Sequence, residues 1–128
     1  FTDAKGKTHS FVDYKTSAKY KLVVFWSADC EHCEAFINEF YKWHQSNSTK
    51  MDVFALSLDE SDTEIPKWEV RHKQLVGWNH ILTQGGINSK EAEAYYILST
   101  PTIFLVDSKT NEIISSPASF NELMEVVK

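Results

Sequence analysis

Three mostly apolar runs stand out along the chain. Continuous apolar runs of this length are typical of strands that are buried on both faces of a sheet. Polar or turn-forming residues follow each run, and the charged group at 59–62 after the second run is interpreted as a solvated loop. The predicted strands are 21–27, 53–58 and 103–106, with a polar turn at 107–111 that leads to a closing hairpin strand at 113–114.

Helices are predicted between and after these strands. From Phe36 to Trp43 the apolar residues recur at helical spacing, which indicates a helix over 30–44 with its apolar side in the core. Strands that alternate with helices imply an α/β sandwich with helices on both faces of the sheet. Three more helices are predicted from residues that favour helix starts, namely Pro66 for 66–75, Ser89 for 90–96 and the capping box of Ser119 and Glu122 for the last helix.

Composition and charge narrow the class of partner. The chain has 128 residues, of which 42% are hydrophobic, so we expect one compact domain over residues 1–128. A net charge of −5 without a basic block argues against nucleic acid or an anionic membrane surface as the partner. No apolar run approaches the roughly 20 residues of a membrane-spanning helix. Because the chain begins with Phe1 and not with Met, we expect it to be a piece of a longer protein.

Cys30 and Cys33 lie where the first predicted strand passes into the first long helix. Two cysteines at this spacing and position are placed for dithiol chemistry. The unpaired N–H groups and the positive end of the helix dipole stabilise an anion at a helix start. We therefore expect a thiolate on Cys30 to have a pKa below the free-cysteine value of about 8.5.

Other roles for the two cysteines are weaker but remain open. They are the only cysteines, so no second pair completes a four-cysteine zinc site, although a CxxC pair with histidines can still hold zinc or copper. His32 lies between the cysteines, where its side chain is expected to point away from a shared ion. A purely structural disulfide is disfavoured because closing so short a loop removes little entropy from the unfolded chain. We predict no metal and no cofactor, and favour reversible thiol–disulfide exchange.

The chain resembles the thioredoxin-like superfamily, and within it the bacterial thiol–disulfide oxidoreductases of the TlpA/ResA type. The resemblance covers nearly the whole chain. It implies a thioredoxin fold: a central mixed sheet with helices on both faces, an N-terminal β-hairpin with its turn at 5–7 and an edge strand at 9–14, and an inserted helix and strand between Asp59 and Pro101. The segments that carry the resemblance are 25–33 around the cysteines, 57–59 at the end of the second strand, and 99–107 with its Thr-Pro-Thr before the third.

The resemblance also assigns roles to residues near the cysteines. It implies that Pro101 is a cis proline lying against the dithiol, and that the backbone of Thr100 pairs with an extended stretch of substrate. Trp26 is expected to pack under the site and to contribute to substrate binding. Cys30, nearer to solvent, is predicted to be the attacking thiolate, and Cys33 the resolving cysteine.

Charged residues in and beside the motif are predicted to tune the cysteines. A protonated His32 would stabilise the thiolate and make the site more oxidising, whereas Glu31 would do the opposite, with Asp29 and Glu34 adding negative charge. These contributions oppose each other, so the sign of their sum stays open. The sequence also departs from the family, because Val24 and Phe36 stand where relatives carry an acid, which leaves the proton-transfer group unassigned.

These observations favour an oxidoreductase that exchanges disulfides with protein cysteines, acting as a reductant. The resemblance implies an extracytoplasmic protein, periplasmic or membrane-tethered, with a membrane-bound or extracytoplasmic redox partner, and we expect a monomer. The alternatives are a binding module that has lost catalysis, a metal carrier, and a peroxidase. A peroxidase needs threonine and proline in the loop before its cysteine, and residues 27–29 supply neither.

Overall fold

A computed structural model describes residues 5–8, 10–11 and 13–127. A short 3-10 helix at Gly86–Asn88 precedes the third α-helix. In chain order the elements are β1 (Tyr20–Trp26), α1 (Glu31–Gln45), β2 (Met51–Ser57), α2 (Glu64–Gln74), β3 (Asn79–Leu82), α3 (Lys90–Ala94), β4 (Thr102–Asp107), β5 (Ile113–Ser115) and α4 (Phe120–Val126).

The five strands form one mixed sheet in the order β3-β2-β1-β4-β5, with β1 in the centre. β1 is parallel to β2, and Trp26 lies opposite Ser57 where both strands end. β4 is antiparallel to β1, so its first residue, Thr102, lies opposite Phe25 at this same edge. Residues that follow β1, follow β2 and precede β4 therefore converge on one edge of the sheet.

Alternate residues of β1 enter two separate cores, which explains why its whole length is apolar. The predicted sandwich with helices on both faces is confirmed by these two cores. One joins Leu22, Val24 and Trp26 to Cys33, Phe36, Ile37 and Phe40 of α1, Trp68 of α2 and Leu123 of α4. The other joins Val23, Phe25, Phe54 and Leu56 to Ala92 of α3 and to Ile97.

Most predicted elements are present with shifted ends. α1 begins one residue later than predicted because Cys30 occupies the N-cap position. α3 ends at Ala94, two residues early, where Tyr96 adopts a left-handed backbone with φ of 54° that does not continue a helix. The predicted serine cap of the last helix is confirmed, since the Glu122 N–H donates to Ser119 Oγ at 3.2 Å. The Glu122 carboxylate reaches one residue further back than a capping box requires and accepts from the Ala118 N–H at 2.8 Å.

The expected N-terminal hairpin is the main departure from the predicted fold. Gly6 has a φ of 83°, in keeping with a turn there, and Thr8 forms an isolated bridge. The predicted edge strand at 9–14 is wrong for its described residues, because Phe11 and Asp13 lie in turns. His9 and Val12 lie outside the described residues. Phe11 packs edge-on against Phe54 with ring centroids 5.0 Å apart, so this segment covers one face of the sheet and does not extend it.

Candidate active site

The two cysteines lie at the start of α1 and differ in accessibility. Cys30 is the N-cap residue and is partly exposed, whereas Cys33 in the first turn is fully buried. The Cys33 N–H donates a hydrogen bond to Cys30 Sγ at 3.1 Å. The two side chains form a disulfide, with their Cα atoms 5.1 Å apart. The sulfur that reaches the surface is thus also the sulfur that the helix start can stabilise as an anion.

The segment before β4 lies directly against this disulfide. The Thr100 carbonyl oxygen is 3.5 Å from Cys30 Sγ, and the Thr100–Pro101 peptide bond is cis. The side chain of Thr102 donates to the Ser99 carbonyl at 2.7 Å, which holds the turn in front of the strand. Residues 70 positions apart are therefore brought together at one edge of the sheet, because β1 is parallel to β2 and antiparallel to β4.

His32 and Glu31 are both exposed on the first turn of α1. His32 lines a shallow depression of about 400 Å³ together with Thr100, Pro101 and side chains of α1 and α4. Among the described residues, the structure gives Glu31 no ion-pair partner. The predicted tuning residues thus flank the disulfide, one of them beside the Pro101 turn.

Trp26 packs under the site, as expected, but it does not reach the surface that a substrate would contact. Its side chain is fully buried at the end of β1, in the core that also contains Cys33. It presents no surface to a partner in this structure, so the substrate-binding role is corrected to packing beneath the disulfide. The burial follows from the alternation of β1, which directs Trp26 to the face that α1 covers.

Two basic side chains of α2 pair with carboxylates near the start of α1. The sequence did not predict these contacts. Lys67 Nζ lies 2.6 Å from Asp29 Oδ1, and Arg71 lies 2.7 Å from Glu34. The hydrogen bond and charge of Asp29 raise the pKa of Lys67 above its usual value. Two of the carboxylates predicted to act on the thiolate are therefore paired, a contact that only the packing of α2 against α1 creates.

Asp59 is the second residue that sequence reasoning misjudged. It was expected in a solvated loop, yet it is 1% exposed. Its carboxylate accepts hydrogen bonds from the Ser27 hydroxyl at 2.7 Å, from the Ser57 hydroxyl at 2.6 Å and from the Ala28 N–H at 3.1 Å. The available signal was its position just after β2, because the ends of parallel neighbours meet at one edge.

Val24 and Phe36, which stand where relatives carry acids, are both core residues. Val24 is fully buried, and Phe36 stacks on Phe40 with ring centroids 5.5 Å apart. Within the described part of the chain, no three His, Cys, Asp or Glu side chains are grouped so that they could hold a metal ion. None of the helices in the described ranges is both long and apolar enough to cross a membrane.

A family model described as a thioredoxin-like domain matches residues 8–128. The chain belongs to the thioredoxin-like family. The resemblance inferred from the cysteine motif and the Thr-Pro-Thr segment is thereby confirmed, as is the thioredoxin fold. A comparison with curated proteins finds no match.

Solved structures share this thioredoxin-like fold over nearly the whole chain. The thioredoxin domain of a thiol-disulfide oxidoreductase from Bacteroides vulgatus is 26% identical, with a TM-score of 0.77 over 98% of this chain and 87% of its own. A thiol:disulfide interchange protein from a Bacteroides species is 26% identical, with a TM-score of 0.74 over 98% and 80%. StoA from Bacillus subtilis is 19% identical, with a TM-score of 0.71 over 99% and 93%, and shows the fold alone.

Proposed function

We propose that this protein is a thiol–disulfide oxidoreductase whose Cys30–Cys33 pair exchanges electrons with cysteines of partner proteins. The observation that carries the proposal is the pairing of a partly exposed sulfur with a buried one at a helix start. The Cys33 N–H that donates to Cys30 Sγ can stabilise a thiolate there. The solved relatives named as thiol–disulfide oxidoreductases support the same activity.

The proposed reaction proceeds in two displacements. In the reduced protein, the Cys30 thiolate attacks one sulfur of a substrate disulfide, and the other substrate sulfur leaves as a thiolate that takes up a proton. Cys33 then loses its proton and attacks Cys30, which breaks the mixed disulfide and releases the second substrate thiol. Two electrons pass from the protein dithiol to the substrate, and a dithiol reductant must restore Cys30 and Cys33.

The turn before β4 is proposed to hold the substrate during these steps. Thr100 presents its backbone beside Cys30, which suits pairing with an extended substrate segment in the manner of an added strand. His32 and Pro101 border the adjacent depression and are proposed to contact residues next to the substrate cysteine. The partner, a reducing direction of transfer and an extracytoplasmic site of action remain part of this proposal.

Serine variants of the two cysteines test the mechanism. We expect Cys30→Ser to abolish reduction of insulin disulfides by dithiothreitol-recycled protein, because the attacking thiolate is gone. Cys33→Ser should also fail to turn over but should accumulate a mixed disulfide with the substrate, seen as a mass increase that dithiothreitol removes. Full activity of Cys30→Ser would show that the roles are assigned wrongly.

A binding module that has kept the fold but lost catalysis is the second candidate. It is favoured by the apolar character of Val24 and Phe36, which leaves no acid at either position where relatives have one. A pair that does not interconvert between dithiol and disulfide in defined redox buffers would support this candidate. Zinc or copper retained in stoichiometric amount after purification would instead support a metal carrier.

A further inference from the structure

Three successive backbone N–H groups connect the end of β1 to the active cysteine, and each is bound within one small network. The Ala28 N–H donates to the Asp59 carboxylate at 3.1 Å, and the Asp29 N–H donates to Ser27 Oγ at 3.3 Å. The Cys30 N–H donates to the Ser27 carbonyl at 3.1 Å. The conformation of the whole turn thus depends on Ser27 and on the carboxylate that Ser27 contacts.

Asp59 ties this turn to the neighbouring strand. One of its oxygens accepts from the Ser27 hydroxyl at 2.7 Å, and the other accepts from the Ser57 hydroxyl at 2.6 Å. The Asp59 N–H also donates a hydrogen bond to Ser57 Oγ at 3.0 Å, so Ser57 at the end of β2 holds Asp59 in place. Burying a carboxylate costs free energy unless hydrogen-bond donors surround it, and here donors at the ends of β1 and β2 do so.

We propose that Asp59 is a positioning residue of the dithiol site. Through Ser27 and Ala28 it fixes the turn by which the chain enters α1, and so keeps Cys30 Sγ where the Cys33 N–H stabilises its thiolate. This inference rests on the proposed function for its purpose, but it concerns the acidity of Cys30, which is measured without any partner. Asp59 does not contact the reacting sulfur; it acts through the turn.

Two serines that both contact Asp59 provide a matched pair of variants. Ser27→Ala removes the contact that faces the cysteine turn, together with the acceptor of the Asp29 N–H. Ser57→Ala removes the contact that faces β2, together with the acceptor of the Asp59 N–H. The readout is the pKa of Cys30 in the reduced protein, from the pH dependence of its alkylation by iodoacetamide. We expect Ser27→Ala to raise this pKa by about half a unit, which is about threefold less thiolate below the pKa. Ser57→Ala should change the pKa less than Ser27→Ala does, because Asp59 then keeps its contacts with Ser27 and Ala28.

Two further variants test the Ser27 hydroxyl and the Asp59 carboxylate separately. Ser27→Thr keeps the hydroxyl and is expected to restore the pKa of the parent protein. Asp59→Asn is expected to raise the pKa of Cys30 because the amide cannot replace a carboxylate that accepts on both oxygens. If the pKa falls or stays constant in Asp59→Asn, the carboxylate acts through its charge or not at all, and the proposal is overturned. Equal shifts in Ser27→Ala and Ser57→Ala would overturn it as well.

These outcomes are separate from those of the cysteine variants. Cys30 can lack exchange activity with proteins and still show the expected pKa shifts, and the reverse also holds. Thermal unfolding of each variant checks that the fold is retained. A loss of stability common to Ser27→Ala and Ser57→Ala is expected, because each removes one hydrogen bond to a buried carboxylate. Only the thiol pKa distinguishes positioning of Cys30 from general support of the fold.

Discussion

At the scale of single residues, His80 links the stability of the fold to pH. The residue is 7% exposed on β3, and its Nε2 donates to the Leu75 carbonyl at 2.8 Å. Burial, with a smaller contribution from the charge of His72, lowers the pKa of His80 from 6.5 to about 4. The folded protein therefore keeps this ring neutral at pH values where the unfolded chain binds a proton.

This difference predicts a loss of stability on mild acidification. The unfolded state binds more protons between pH 6.5 and about 4, so the free energy of unfolding falls as the pH falls through this window. We expect a loss of about 2 kcal/mol from His80 between pH 7 and pH 5, measured by urea unfolding at each pH. His80→Gln should show a shallower pH dependence over this range. An equally steep loss in that variant would assign the effect to other groups.

At the scale of elements, α2 acts on the site through charges that it presents to α1. Lys67 and Arg71 neutralise Asp29 and Glu34, which flank the cysteine pair in sequence. Exposed ion pairs contribute little to stability, about 0–1 kcal/mol. The charges of Lys67 and Arg71 also act on a thiolate at the start of α1. That electrostatic effect does not depend on how much the ion pairs contribute to the stability of the fold.

The variant Lys67→Gln tests this electrostatic role. It leaves Asp29 without its cation, so we expect the pKa of Cys30 to rise and its alkylation at pH 7 to slow. The effect should fade at about 1 M salt, where the Debye length is about 3 Å. Lys73→Gln, in the last turn of the same helix, is the control and should change neither quantity. Equal slowing in both variants would mean that net charge, and not the contact with Asp29, is responsible.

At the scale of the whole molecule, the reduction potential of the disulfide decides the direction of transfer. Glu31 is exposed on the first turn of α1, where its negative charge disfavours a thiolate and so opposes the stabilisation by the Cys33 N–H. A reductant requires the effect of Glu31 to prevail. We expect a potential near or below about −250 mV, in the range of thioredoxin. Equilibration in dithiothreitol or glutathione buffers, read by mass, measures it.

Other values of the potential would change the proposed function. A value between about −180 and −120 mV is found in isomerases and dedicated oxidants, and would contradict a reducing role. A pair that never cycled in either buffer would contradict enzymatic exchange altogether. Because the measurement uses the intact chain, the reduction potential also includes the effects of the α2 charges and of the turn that Asp59 holds.

Local patterns in the sequence were sufficient to predict several features. The continuous apolar run of β1 and the helical spacing of apolar residues in α1 predicted both elements. A strand that is buried on both faces is apolar throughout, whereas a helix that is buried on one side has apolar residues only at helical spacing. The position of Cys30 and Cys33 at a strand-to-helix junction predicted the disulfide-bearing helix start. β3 was not predicted from the pattern, since Asn79–Leu82 is only four residues long and contains His80.

The surroundings of the cysteines were decided by tertiary structure. Asp59 follows Cys30 by 29 positions and begins a run of polar residues that also contains the exposed Glu60, so its charge by itself predicted a solvated loop. Its burial arises because two parallel strands end together, which places the residues after β2 against the turn after β1. The pairing of Lys67 with Asp29 has the same origin, since it requires α2 to pack beside α1. The sequence by itself thus determined which sulfurs are present and on which element they lie. Only the tertiary structure decided which charges and hydrogen bonds surround them, because those contacts join segments that are distant along the chain.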